Sequence, residues 1–190
     1  VPVVLPLFED DRFVGVMDLI EKVAVYYSDA DLGRTYHEAP VPEEHRPEFD
    51  AARERLIQEA SDWDDDLLEL YCEDRPVPAD HIRTALRRGT LAGHLVPVLC
   101  GSALKNKGIQ RLMDAVVDYL PSPADLPPVI GFRGEGQTVE RHHTSDHPLA
   151  ALAFKVVSDR HSGKLVYVRV YSGKLEAGSY VYNATRGRRE

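Results

Sequence analysis

The residue types that could do chemistry fall into a few groups, each weighed against a plain alternative. His142, His143 and His147 crowd one stretch and offer zinc ligands. A structural zinc site takes four ligands, however, and no cysteine or further histidine is near, so these read as loop histidines in water. Asp64-Asp65-Asp66 could hold a divalent ion weakly, but a run of carboxylates is what the first turn of a helix favours. Cys72 and Cys100 make no Cys-x-x-Cys pair, and Cys100 closes an apolar run, which suits a small buried residue better than a nucleophile. Arg186, Arg188 and Arg189 are candidates for phosphate contacts, the alternative being a frayed end. Trp63, Tyr26, Tyr27, Tyr167 and Tyr171 could stack on bases but as a group read as core or sheet-face residues. The polar loop from Gly101 to Gly108 stands apart. It leaves an apolar run and enters a helix, so it presents backbone N–H donors where ligands of open α/β sheets gather.

The elements that must carry these groups follow from periodicity. Residues 1–7, 13–20 and 23–27 read as strands rich in β-branched and aromatic residues, with Glu9 to Arg12 as a turn. Pro2 and Pro6 place the first at an edge. Residues 28–47 read as loop. Phe49, Ala52, Leu56, Ala60, Trp63, Leu67 and Leu70 share one helical face, and Ser61-Asp62 divides it into two helices. A third helix follows Pro78, with Ile82, Ala85 and Leu86 as its buried stripe and Gly89 as its stop. Residues 95–100 read as a buried strand. Ile109, Leu112, Met113, Val116, Val117 and Leu120 mark a helix that Pro121 ends. Four prolines between Pro121 and Pro128 make an extended linker and a domain boundary. Beyond it the pattern is all β, with strands expected over 149–157, 165–171 and 179–183.

Charge is divided between the two halves. Residues 38–74 hold 14 acidic and three basic side chains, whereas 160–190 hold seven basic and two acidic ones. The first stretch should repel nucleic acid and the second could approach it. No apolar run approaches the roughly 20 residues that span a bilayer, and no basic leader opens the chain. Two unpaired cysteines fit a reducing cytosol, so a cytoplasmic location is expected.

Several strings resemble elongation factor G, a family of translational GTPases. They are Gly101-Ser102-Ala103-Leu104-Lys105-Asn106-Lys107-Gly108-Ile109-Gln110 with Leu112 to Pro123, and Phe13-x-Gly15-x-x-Asp18-Leu19. To these add Pro148 to Lys155, Arg169-Val170-Tyr171-Ser172-Gly173, and Gly173-x-Leu175-x-x-Gly178-x-x-Val181. The resemblance covers essentially the whole chain, with the pieces in the family's order. It implies an α/β plus β fold. Residues 1–94 would be a mixed α+β insertion subdomain of the GTPase domain. Residues 95–128 would be the last strand and helix of a P-loop-type GTPase domain, and 129–190 the start of a domain II β-barrel, cut short. It also implies that Ser102-Ala103-Leu104 is the last guanine-binding motif. Backbone N–H donors there suit the guanine O6 carbonyl and would be left unpaired by an adenine amino group.

Other parts of such a site have no counterpart here: no Gly-x-x-x-x-Gly-Lys-Ser/Thr, no Asp-x-x-Gly and no Asn-Lys-x-Asp occurs. Phosphoryl transfer rests on positioning phosphates, magnesium and water. The expectation is therefore a GTP hydrolase only in the intact parent, with GTP/GDP and magnesium bound there. No catalytic or metal residue is expected in this chain, and neither hydrolysis nor tight nucleotide binding by it alone. The resemblance further implies ribosomal translocation of tRNA and mRNA, contact with the ribosomal stalk protein through the insertion, contact with ribosomal RNA through the barrel, and a monomer, with neither DNA nor membrane as partner. Two alternatives stay open: a ribosomal-protection or release-type relative, and a non-catalytic module that docks on the ribosome.

Overall fold

The computed structural model describes residues 1–190 except Glu135 and Ser162. Its Cα packing divides the chain into two units, Val1–Leu120 and Pro121–Glu190, so the division falls at the start of the proline-rich stretch.

In the first unit, β1 (Val4–Glu9), β2 (Arg12–Asp18), β3 (Val23–Tyr27) and β4 (Tyr36–Ala39) form an antiparallel meander in that order. Asp10 and Asp11 both have positive φ, as the two-residue β1–β2 turn with Glu9 opposite Arg12 requires. β4 lies inside the stretch expected to be loop. Its residues are mostly exposed and polar, so no alternation marks it. Pairing of Tyr36 with Tyr27 and of Ala39 with Ala24 makes it a strand.

β2 is buried on both faces, which gives the sheet two cores. Leu7, Met17, Leu19 and Ala24 pack with the helices, while Val4, Val16, Val25 and Tyr27 pack on the other side with Leu99 and Cys100. The helices are α1 (Arg46–Ser61), α2 (Asp65–Cys72), α3 (Ala79–Leu91) and α4 (Ile109–Tyr119). Asp64 caps α2 by accepting the Leu67 N–H at 2.9 Å, so only Asp65 and Asp66 stand in its first turn. Arg53 of α1 is buried and donates from Nη1 to the Leu19 and Ile20 carbonyls just past the end of β2.

Two expectations are corrected here. Gly89 does not end α3. It lies inside the helix, where a Cβ would meet Leu95 Cδ1 at 2.5 Å and Trp63 Cδ1 at 3.1 Å. The stop is Gly93, whose φ is 75°, with the His94 and Leu95 N–H groups both turned back to the Gly89 carbonyl. Residues 95–100 form a single parallel bridge, Pro2 with Val98, rather than a strand. The Val3 N–H donates to Val98, but the Val3 carbonyl accepts from Leu19, so the ladder goes no further. The apolar stripe of α4 is largely uncovered: Met113 is 59% and Val117 75% exposed, while Ala115 and Tyr119 are buried. Periodicity marks the face that seeks cover without saying whether this chain provides it.

The second unit begins with a 3-10 turn, Pro123–Asp125, closed by a capping box between Ser122 and Asp125. The stretch is therefore locally turned where it was expected to be extended. Three antiparallel pairs follow: β5 (Val129–Arg133) with β6 (Gln137–Arg141), β7 (Ala150–Asp159) with β8 (Gly163–Ser172), and β9 (Tyr182–Asn183) with β10 (Arg188–Arg189). The described residues of this unit form these separate pairs and no closed barrel, and their large apolar side chains, such as Phe132, Phe154 and Val156, are mostly exposed.

Candidate nucleotide-base loop

The loop between Cys100 and α4 is built by two glycines in close approach. A Cβ on Gly101 would stand 2.7 Å from the Lys107 carbonyl, and one on Gly108, at φ 82°, would stand 2.8 Å from the Cys100 carbonyl. The two ends of the loop therefore touch through their backbones. Ser102 and Lys107 form an antiparallel bridge, exchanging N–H···O bonds of 2.8 and 3.1 Å. Lys105 donates to the Ser102 carbonyl and Asn106 to the Ala103 carbonyl, both at 3.2 Å.

That network leaves several donors over, two of them adjacent at the tip. Among the described residues, the N–H groups of Ala103 and Leu104 have no acceptor. Ala103 is exposed and small, and Leu104 is 94% exposed at the loop tip. A pair of adjacent, unpaired backbone donors on a braced turn suits a carbonyl oxygen. Ser102, half-buried, braces the turn through its backbone rather than its hydroxyl.

Lys107 is a buried neighbour of this loop that the sequence reading missed. Its side chain is 2% exposed, and its Nζ lies 2.7 Å from Asp29 Oδ1 and donates to the Phe13 carbonyl at 3.1 Å. The hydrogen bond from Lys107, and then its charge, hold the Asp29 carboxyl below its usual range. A lysine in a polar loop gives no signal that it will be buried, because both partners are remote in sequence.

The remaining candidates do not join this loop. Asp64, Asp66 and His81 place ligand atoms within 4.8 Å of one another, but both Asp64 oxygens are spent, one on the Leu67 N–H and one on Arg88 at 2.6 Å. His143 turns Nδ1 to the Tyr171 carbonyl at 2.8 Å and Nε2 to the Pro127 carbonyl at 3.1 Å, which takes it out of any zinc set with His142 and His147. Burial pushes the Cys100 thiol up, away from thiolate chemistry. Trp63 stacks on His94, and Tyr26 on His37. Arg186, Arg188 and Arg189 stand exposed on the β9–β10 hairpin.

Comparison with known proteins shows what the chain is similar to. The chain is 48% identical over 191 aligned residues to elongation factor G of Thermotoga maritima, an alignment that covers 100% of this chain. Elongation factor G of Thermotoga petrophila matches equally, at 48%. The chain is homologous to elongation factor G. It spans about 28% of the Thermotoga maritima protein's length and 27% of the Thermotoga petrophila protein's. A crystal structure of a Thermus thermophilus protein aligns with a TM-score of 0.67 at 28% identity, covering 95% of this chain and 24% of that one. No family model matches the chain. No helix of the described residues is long and apolar enough to cross a membrane.

Proposed function

We propose that this elongation factor G homologue contributes the guanine-contacting loop to a translational GTPase that moves tRNA and mRNA through the ribosome. The observation that carries the reading is the pair of unpaired N–H groups on Ala103 and Leu104, held on the braced turn that begins at Ser102. Such donors fit the O6 carbonyl of guanine and mismatch the amino group of adenine. The residues here fit the base of GTP or GDP. The phosphates and their magnesium need a phosphate loop and an Asp-x-x-Gly segment, which this sequence does not contain, so hydrolysis belongs to other segments of the parent.

The large uncovered apolar surfaces support the same reading. The exposed stripe of α4 is the surface that the rest of a GTPase domain would cover, and the exposed β7 and β8 side chains suit the remaining strands of a barrel. On this proposal residues 1–94 are the insertion subdomain that meets the ribosomal stalk protein, 95–128 complete the GTPase domain, and 129–190 open the domain II barrel. Arg186, Arg188 and Arg189 then face ribosomal RNA, and the intact factor works as a cytoplasmic monomer.

The test is a titration of fluorescent GDP against two proteins. One is this chain alone. The other is Thermotoga maritima elongation factor G with its matching stretch replaced by this chain. Binding by the hybrid only is the expected result. Tight binding by the chain alone would refute its incompleteness, and binding by neither would favour a ribosome-docking module without nucleotide.

A further inference from the structure

Lysine is almost never fully buried unless it is paired, because removing an ammonium from water costs several kcal/mol. Lys107 is buried even so, and it is the residue through which the candidate loop is fastened to the sheet. Its backbone is bridged to Ser102, the residue just before the two free donors. Its ammonium bridges the Phe13 carbonyl at the start of β2 and the Asp29 carboxylate in the 28–35 loop.

That second loop is itself held. The Asp31 carboxylate accepts the Arg34 N–H, the Thr35 N–H and the Thr35 hydroxyl, the last at 2.6 Å. It also receives the candidate loop at a second point, since the Gly33 carbonyl accepts from Asn106 Nδ2 at 3.5 Å and Gln110 Nε2 at 3.2 Å. The 101–108 loop thus rests on a platform made by residues 28–35, and Lys107–Asp29 is the charged fastener between them.

We infer that Lys107, fixed by Asp29 and the Phe13 carbonyl, is a positioning residue that sets where the Ala103 and Leu104 N–H groups point and so helps select guanine over adenine. The inference rests on the guanine-contact reading above. Donors aimed at a carbonyl oxygen discriminate only while they stay within hydrogen-bond reach of it, and a loop released from its anchor moves them off that point. Lys107 touches no nucleotide and acts through the loop. The 28–35 segment, remote in sequence from the loop, becomes part of the specificity apparatus.

The experiment uses the Thermotoga maritima hybrid in its unaltered form and as K107M, D29N, D29E and A103P, with GDP and ADP affinities measured for each. K107M is expected to weaken GDP by roughly tenfold, the loss of one charge-assisted bonding group, while leaving weak ADP binding unchanged. D29N should weaken GDP by a smaller factor, because the Asp29 side chain is 76% exposed and water partly screens the pair. D29E, which keeps the carboxylate, should restore binding. In the 190-residue chain, K107M should speed amide exchange at Ser102, Lys105 and Asn106 and leave β1 to β3 protected.

The outcomes separate. Normal GDP binding by A103P, or none by the unaltered hybrid, sinks the guanine reading itself. Weakened GDP binding in A103P beside unchanged GDP-to-ADP preference in K107M overturns the role of Lys107 and leaves that reading standing. Loss of protection throughout β1 to β3 in K107M would show that Lys107 holds the fold, and would equally overturn a positioning role.

Discussion

Arg111 Nε lies 3.3 Å from Asp18 Oδ2, and the same guanidinium reaches Glu38 Oε1 at 2.6 Å. One side chain of α4 therefore ties β2 and β4 to the helix that follows the candidate loop. Asp18 is 6% exposed, and its Oδ1 accepts the Ile20 and Glu21 N–H groups, each at 2.9 Å. Burial raises the Asp18 carboxyl above its ordinary 3.8, and Arg111 only partly offsets this. The buried pair fixes geometry more than it adds stability.

A pH dependence follows from the sign of that shift. A folded-state value above the unfolded one means that the folded chain binds the proton more readily. The associated stability is present below the unfolded value and is lost as pH rises through the raised one. D18N removes this titration while keeping an oxygen for the Ile20 and Glu21 N–H groups. The stability of the unaltered chain relative to D18N should therefore fall between about pH 4 and about pH 7. Urea unfolding followed by Trp63 fluorescence at both pH values checks it. A difference that stays constant, or grows with pH, would count against the assignment.

Gly89 supplies a prediction whose sign reverses with its neighbour. In an open helix interior, replacing glycine by alanine stabilises by about 0.8–1 kcal/mol. Here the new Cβ would meet Leu95 and Trp63 side-chain atoms. Overpacking of this kind costs typically about 1–3 kcal/mol, so G89A should be destabilising by about 1 kcal/mol. In an L95A background the space opens, and the same change should become stabilising. A double-mutant cycle by urea unfolding reads this directly, and additivity of the two changes would contradict the packing argument.

Gly89 also shows where sequence reading ran out. The stripe Ile82, Ala85 and Leu86 placed α3 correctly, and those residues are fully buried. A glycine near the end of a periodic run looks like a stop in one dimension. Whether it is a stop or a gap for a neighbour depends on Leu95 and Trp63, which periodicity within α3 does not name. β4 went unseen for a similar reason, since pairing with β3 rather than alternation makes it a strand. The loop at Ser102 was legible because its string is long and specific. Its fastening was not, because Lys107 reaches Asp29 only once the sheet and the loop are folded together. The stripe on α4 was read correctly as helical, yet these residues leave it largely exposed.

The three arginines of the second unit are not equivalent, and that difference can be measured. The Glu190 carboxylate takes Arg188 Nε at 3.1 Å, Arg186 Nη1 at 3.3 Å and Asn183 Nδ2 at 3.1 Å. The Asn183 hydrogen bond first, then that from Arg188, holds Glu190 below its usual range, so it stays ionised at neutral pH. Arg189 is paired through its backbone strand with Tyr182, and among the described residues its side chain has no ion-pair partner. If this hairpin meets ribosomal RNA as proposed, Arg189 binds a phosphate without first leaving a carboxylate. R189A should then lower the slope of log affinity against log salt by about 0.7–0.9, the loss of one phosphate contact. R186A and R188A should lower it less, and E190Q should raise affinity by freeing both. Filter binding of ribosomal RNA across a salt series measures all four, and equal slopes for R189A and the unaltered chain would remove Arg189 from the interface.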